Sequence, residues 1–463
     1  MRTGFRFIQT AAIFALALMV YPGHAQSLPK PGDVLLALGD NPPSQTHPTA
    51  SVTTPEAADA ELPGAIYKDA MHPLDMVRQS LENWSDSELA ALSIGMRMAR
   101  EACDKMKPEN YSNDDLYDLA HLCAFGQDWN PANAAAQRYI ASKAPEHRAQ
   151  AYAISIGAFV HLNAVDLALA TTREMLRVEP YDAEVAYTVR YMKDYLETTG
   201  RPEALKLAEA EHEKIIEALS KGAPLKATYG DAVVNTGLLY EMAMEAAFFE
   251  RYAGNDAQAS NYLSDVELAL PPHAVLTGED RQEIDSARLQ YHLLGTELEQ
   301  IPVIRSYKSA TAKAQGNTGS RATGFGTTNL GADFGAATAL VVFPDWCVQC
   351  RKMMPTMTQF AEANADTPIH AYGLIFKEND EESPPDMQKE LLGTDVLEVS
   401  EETAHSFGTA DYPLGIVVDH AGVIRFIGAL PSDAFNGDGY MEKVLTRMVG
   451  VLARTTPGIP RGE

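Results

Sequence analysis

Ala339-Leu340-Val341-Val342-Phe343-Pro344-Asp345-Trp346-Cys347-Val348-Gln349-Cys350 is the stretch that decides how this chain is read. A short apolar run closed by proline and aspartate predicts a strand buried on both faces, and a helix is expected to open at the cysteines. A cysteine at a helix N-terminus faces unpaired amides and the positive end of the dipole, which favour thiolate over thiol. Such thiols titrate at about 3.5 to 7.5, against about 8.5 when free. Cys347 is therefore the expected nucleophile. Two intervening residues place Cys350 one turn along, where it can attack the Cys347 sulfur and release a mixed-disulfide partner, so Cys350 is the expected resolving thiol. Half of a zinc site is the alternative for a C-x-x-C pair, but a second pair of Cys or His at suitable spacing is missing. No metal is expected, and no cofactor beyond the redox-active Cys347–Cys350 disulfide.

Three features further out join the pair. Trp346 directly precedes the first cysteine, Pro355 follows the second by five residues, and Tyr412-Pro413 leads into Leu414-Gly415-Ile416-Val417-Val418. With these the sequence resembles the thioredoxin superfamily over roughly residues 335 to 454. The resemblance implies that Pro355 bends the active-site helix, since its ring and missing N–H oppose a straight one. It implies a cis bond before Pro413, in a loop lying against the cysteines, where a client backbone pairs with Tyr412. Trp346 and Pro413 are then site residues, and Tyr412, Val348 and Gln349 the client-contacting ones. Asp419 to Gly428 resembles the terminal hairpin of the exported TlpA/ResA-like branch, and the long stretch between Cys350 and Pro413 suits that branch's extra helix and strand. Two departures matter. Val341 stands where thioredoxin has a buried acid, so the proton of Cys350 must go to water or another group. Val348-Gln349 is neither Gly-Pro nor Pro-His, so the potential is not placed between about −270 and about −120 mV.

Beyond the cysteines, Ile369 to Phe376, Gly415 to Asp419 and Val423 to Gly428 read as further strands, the last two joined at His420-Ala421-Gly422, and Tyr440 to Leu452 as a closing helix. The pattern is α/β with a mixed sheet over 336–455, followed by a tail at 456–463. Met353, Met354 and Met357 suggest copper ligation, but the C-x-x-C spacing favours core packing. His405 and His420 read as surface or loop residues.

Residues 84–303 read as an all-α domain of eight to ten helices. Ser85 to Glu88 forms a capping box, breaks fall at Pro108, Pro145, Pro180, Gly200 to Pro202, Gly254-Asn255 and Pro271-Pro272, and Val234 to Tyr252 has amphipathic spacing. Leu167 to Pro180 weakly resembles the second helix of a tetratricopeptide repeat, without a clear second copy. A hairpin turning at Glu109 would put Cys103 opposite Leu116 and leave Cys123 two turns away, outside disulfide reach, so whether these two are bonded stays open. The Ser, Thr, Gly and Asn content of 304–335 marks a flexible linker, and the prolines of 26–83 an extended arm.

Residues 1–25, with Arg2, Arg6, an apolar stretch from Ala11 to Val20 and Gly23-His24-Ala25, read as a secretory signal, with an uncleaved anchor as the alternative. Export, to periplasm or cell envelope, is expected either way. The 463 residues carry a formal charge of −26 without a basic cluster, which excludes nucleic acid as a partner. The expected function is disulfide exchange with client-protein cysteines, reductive rather than oxidative, fed by a redox donor the sequence does not name. A partner protein on the helical domain is a further expectation. The alternative is a helical interaction or scaffold protein whose thioredoxin-like module binds partners or senses redox state without turnover.

Overall fold

The computed structural model describes residues 62–78, 86–142, 146–198, 201–228, 230–273, 275–307, 328–330, 337–363, 369–378, 387–408 and 412–430. The leader at 1–25, the Ser85 cap, the closing helix at 440–452 and the tail at 456–463 lie outside these residues. The chain divides into two compact units between Thr171 and Thr172, inside one helix, rather than near 304.

The described residues of the first unit form α1 (Pro63–Arg78), α2 (Asp86–Cys103), a 3-10 turn at Pro108–Asn110, α3 (Asp114–Phe125), α4 (Trp129–Ile140), α5 (Arg148–His161) and the start of α6 (Val165–Val178). Helix α1 corrects the extended-arm reading of 26–83 over its own length. Pro63 occupies the first helical position, where a missing N–H is harmless, and Ala70, Met71 and Leu74 bury a stripe at helical spacing. Cys103 and Cys123 are disulfide-bonded with Cα atoms 5.2 Å apart, which corrects the geometric estimate that kept them apart. That estimate assumed a tight hairpin. The connection from Asp104 to Asn113 is long enough to carry the start of α3 away from Cys103 and bring the far end of α3, with Cys123, against it.

The second unit continues with α7 (Ala183–Thr198), α8 (Glu203–Ser220), a two-strand ladder β1 (Leu225–Lys226) and β2 (Val233–Val234), α9 (Thr236–Tyr252), α10 (Asp256–Ala269) and α11 (Gly278–Leu293). Helices α3, α5 and α7 start 34 and 35 residues apart, at Asp114, Arg148 and Ala183. Four helix ends close with the same bond, the amides of Asp128, Ala164, Arg201 and Asn255 donating to the carbonyls of Cys123, Phe159, Leu196 and Glu250 at 2.8 to 2.9 Å. Gln127, Asn163 and Gly254 take the left-handed turn position, at φ 58°, 57° and 81°. Three different residue types fill one backbone role, so these helix ends share no sequence signature.

The rest of this unit is a six-stranded sheet. Its strands are β4 (Arg305–Ser306), β6 (Ala337–Pro344), β7 (Ile369–Phe376), β8 (Val396–Glu398), β9 (Leu414–Val418) and β10 (Ile424–Ala429), in the order β10-β9-β6-β7-β8-β4. β6, β7 and β8 are parallel; β9, β10 and β4 run antiparallel to their neighbours. Helix α12 (Val348–Ala363) crosses from β6 to β7, and α13 (Met387–Leu391) and α14 (Glu401–His405) flank β8. A parallel crossover beside an antiparallel terminal hairpin is the thioredoxin arrangement expected from the sequence. Strand β6 is buried on both faces: Ala339, Val341 and Phe343 face the α12 core, while Leu340 and Val342 pack with Ala404, Phe407 and Ile416. The edge strand β4 corrects the linker reading at its start. Arg305 and Ser306 pair with Glu398 and Leu397, Tyr307 is buried with its hydroxyl on Glu398, and β5 (Thr328–Leu330) pairs with β3 (Ile301–Val303). Residues 308–327 lie outside the described set.

Within this unit the helices join the sheet directly. Gly295 N donates to Ile424 O and Ile424 N to Thr296 O, both at 2.9 Å, so the segment after α11 covers the β10 edge. The Tyr252 hydroxyl donates to Ile427 O at 2.7 Å and its ring stacks on Phe426. In the β9–β10 turn, burial alone would raise the Asp419 pKa. Accepted bonds from Val423 N and Ala421 N, with the Arg425 guanidinium, outweigh it and hold the carboxyl below the usual range.

Candidate active site

The end of β6 aims the cysteines. Asp345 N donates to Phe376 O at 2.9 Å, which ties the turn after β6 to the end of β7, and Cys347 N donates to Pro344 O at 3.1 Å. The turn leaves Cys347 immediately ahead of α12, whose first amides point back at it. Cys347 and Cys350 are disulfide-bonded with Cα atoms 5.3 Å apart, and Cys350 N donates to the Cys347 sulfur at 3.3 Å. Their exposures differ. Cys347 is half-buried, whereas Cys350 is fully buried among Val341, Phe343, Met353, Met354 and Ile375. The Cys347 side chain is reached from solvent, and that of Cys350 is enclosed by the protein.

Of the expected site residues, Trp346, Val348 and Gln349 adjoin the pair along the chain, and Tyr412 meets Trp346. Trp346 is 47% exposed, its indole Nε1–H donates to Glu378, and its ring meets Tyr412 edge-on at 6.4 Å. The Tyr412–Pro413 peptide is cis, Pro413 is buried, and its carbonyl accepts Leu430 N at 2.9 Å. Val348 and Gln349 open α12 between the two cysteines, and Pro355 lies within that helix. Met353, Met354 and Met357 are buried in the α12 core, where they pack rather than face solvent. His405 and His420 are exposed. Among the described residues no group of His, Cys, Asp and Glu could hold a metal ion.

Sequence reasoning passed over a charged assembly beneath the turn. Arg351, the residue after Cys350, is only 3% exposed; its Nε donates to Glu390 on α13 at 2.7 Å, and a second guanidinium N–H donates to the Asp345 carbonyl. It bolts the cysteine turn to α13. Asp345 is itself buried. Arg351 and Asp345 flank the motif and were legible as neighbours, but Glu390 and Glu378 reach it only through tertiary packing. A buried guanidinium needs a partner to offset its desolvation, so an arginine beside a buried cysteine was the available signal.

No protein-family model matches the chain, and no curated protein matches it either. Among solved structures it is similar to the thioredoxin domain of a thiol-disulfide oxidoreductase from Bacteroides vulgatus, at 17% identity and TM-score 0.23, covering 31% of this chain and 92% of that one. A thiol:disulfide interchange protein of the thioredoxin family from Chlorobium tepidum gives 18% identity and TM-score 0.21 over 33% and 99% of the two chains. StoA from Bacillus subtilis gives 15% and 0.21 over 26% and 90%. The thioredoxin arrangement is carried by the strand order and the cysteine turn themselves; these likenesses add no weight to it. No helix among the described residues is long and apolar enough to cross a membrane.

Proposed function

We propose that this chain is an exported thiol-disulfide oxidoreductase that reduces disulfides in client proteins through Cys347 and Cys350. The observation that carries the reading is the asymmetry of the pair: a half-buried sulfur at the start of α12, accepting the Cys350 amide hydrogen, backed by a fully buried partner one turn on. An accepted amide hydrogen and the helix dipole both favour the Cys347 thiolate. That thiolate attacks a client disulfide, a mixed disulfide forms, and Cys350 displaces the client from Cys347. Trp346 and the Tyr412–Pro413 loop form the rim where the client backbone docks. Export is supported by the leader-like composition of 1–25 and by the Cys103–Cys123 disulfide, which belongs to an oxidising compartment. Helices α7 to α11 hold the redox module and supply further client-contacting surface.

The test is reduction of a fluorogenic disulfide by wild type and Cys347→Ser. Equal rates would refute the catalytic assignment. Cys350→Ala is expected to trap stable mixed disulfides with clients, which a non-turning-over scaffold does not form. A reduction potential more oxidising than the compartment's poise would reverse the proposed direction.

A further inference from the structure

Among the described residues no other tryptophan, tyrosine or phenylalanine is as open to solvent as Trp346, at 47%. A singly exposed apolar side chain is ordinary, but this one is also fixed. Its indole Nε1–H donates to Glu378 Oε2 in the segment after β7, and its ring meets that of Tyr412, in the loop before β9, at 6.4 Å. A ring already held in place offers contact area without a further loss of rotamer freedom on binding. Its position directly before Cys347 puts that area beside any client residue that adjoins a mixed disulfide.

Glu378 adds a charge. Three other carboxylates on this sheet each face a guanidinium: Glu390 has Arg351, Glu398 has Arg305 and Asp419 has Arg425. Glu378 instead has a neutral indole, and among the described residues no cation is paired with it. A carboxylate accepts several hydrogen bonds and the indole takes up one, so the partly exposed Glu378 keeps both charge and capacity for a second donor. An anionic acceptor bonded to the edge of an exposed indole suits a cation, whose charge meets the carboxylate while its plane or stem lies on the ring. The formal charge of −26 extends the same preference to longer range.

We infer that Trp346 and Glu378 form a cradle for a basic side chain of the client, next to the client cysteine that joins Cys347. This assignment rests on the oxidoreductase reading above and deepens it by naming the chemistry of the client. Arginine is preferred to lysine, because a planar guanidinium stacks on the indole and bonds a carboxylate with a fixed fork. An acidic residue at the same client position meets Glu378 as a like charge and is disfavoured.

The test uses the full-length protein, reduced with dithiothreitol and freed of it, mixed with short synthetic peptides whose single cysteine is held as a disulfide to thionitrobenzoate. The peptides differ only in the residues flanking the cysteine on both sides: arginine, lysine, glutamine or glutamate. Release of the coloured thiolate reports the step in which the Cys347 thiolate bonds to the peptide sulfur and the thionitrobenzoate sulfur leaves with the electron pair. Wild type is expected to favour the arginine peptide over the glutamate peptide about tenfold, and over the lysine peptide about threefold, as a part-exposed ion pair with a ring contact allows. In Glu378→Gln, whose amide oxygen can still accept the indole hydrogen, most of the arginine-to-glutamate ratio should vanish, and Glu378→Lys should invert it. Trp346→Leu, which keeps the carboxylate, should level arginine with lysine. Equal rates or a reversed order in wild type overturn the inference. So does an arginine-to-glutamate ratio that survives Glu378→Gln, which the charge of the whole chain would then explain, or an arginine-to-lysine ratio untouched by Trp346→Leu. Thermal unfolding checks the variants, and should Glu378→Gln fail to fold, the ratio in Glu378→Ala decides in its place. A wild type no faster than Cys347→Ser on every peptide sinks the oxidoreductase reading instead, so the two failures are distinguishable.

Discussion

Two disulfides of the same chain sit in opposite environments. Cys103 and Cys123 join the last residue of α2 to the far end of α3, and both are buried. Cys347 and Cys350 lie three residues apart at the start of a helix, the first half-buried and the second fully buried. The bond is alike in both. What differs is access for an attacking thiolate and a local field that stabilises the leaving one. A disulfide closed over a chain segment restricts the unfolded state, whereas one closed within a single helical turn constrains almost nothing and is free to serve as a reagent. Position in the fold, rather than cysteine content, separates framework from chemistry.

The sharpest way to break this contrast is to exchange the losses. Cys347→Ser is expected to bring disulfide reduction down to background while leaving thermal stability nearly unchanged. Paired substitution Cys103→Ala and Cys123→Ala should do the reverse. The 20-residue separation predicts a loss of about 3 kcal/mol, read in denaturant unfolding of the first unit, with turnover preserved. Graded dithiothreitol followed by alkylation and mass analysis should open Cys347–Cys350 first. Simultaneous opening would show that burial does not protect the α2–α3 bond.

Much of the second disulfide's setting was legible in the sequence. Ile369 to Phe376 forms a strand with those limits, and the strands at 414–418 and 424–429 sit within one residue of their expected positions, because apolar runs bounded by turn residues encode a buried strand locally. The Tyr412-Pro413 loop was legible from a dipeptide and the strand that follows it. The first disulfide's setting was not, since its geometry depends on how far a ten-residue connection displaces one helix along another. Edge strand β4 escaped notice for a similar reason: Arg305-Ser306 has no strand character of its own and becomes a strand by pairing with Leu397 and Glu398. The acids around Arg351 and Trp346 come from segments remote in sequence. Local pattern places the cysteines; only packing shows what surrounds them.

A second difference between the two regions should appear in acid. His121, two residues before Cys123 on α3, has its pKa pushed down to about 4, first by burial and then by repulsion from His147. In the unfolded chain this group takes up a proton near pH 6.5, and in the folded one it does so only near 4. The unfolded state therefore binds more protons across that interval. The stabilisation present above pH 6.5 is lost as pH falls toward 4. Thermal unfolding monitored at several pH values should show the first unit weakening through this window, and His121→Phe should flatten the decline. An unchanged slope in the variant would assign the acid sensitivity to other groups.

The smallest expected effect concerns how the second unit holds the Tyr412–Pro413 loop. On α11, the Gln290 side chain donates to the Gly408 carbonyl, and Gly408 lies four residues before Tyr412. Gly408 has φ 70°, and a Cβ there would approach the Ser286 carbonyl oxygen at 2.6 Å, so helix and loop meet backbone to backbone. Gln290→Leu removes one partly buried hydrogen bond and should cost about 1 kcal/mol. If α11 sets the position of the Tyr412–Pro413 loop, the same change should raise KM for a protein client and leave kcat for a small disulfide untouched. Cys103 and Cys123 give no comparable readout, because nothing in the proposed chemistry passes through them. An equal fall in both kinetic constants would mean that the helix supports the fold as a whole and has no separate hold on the loop.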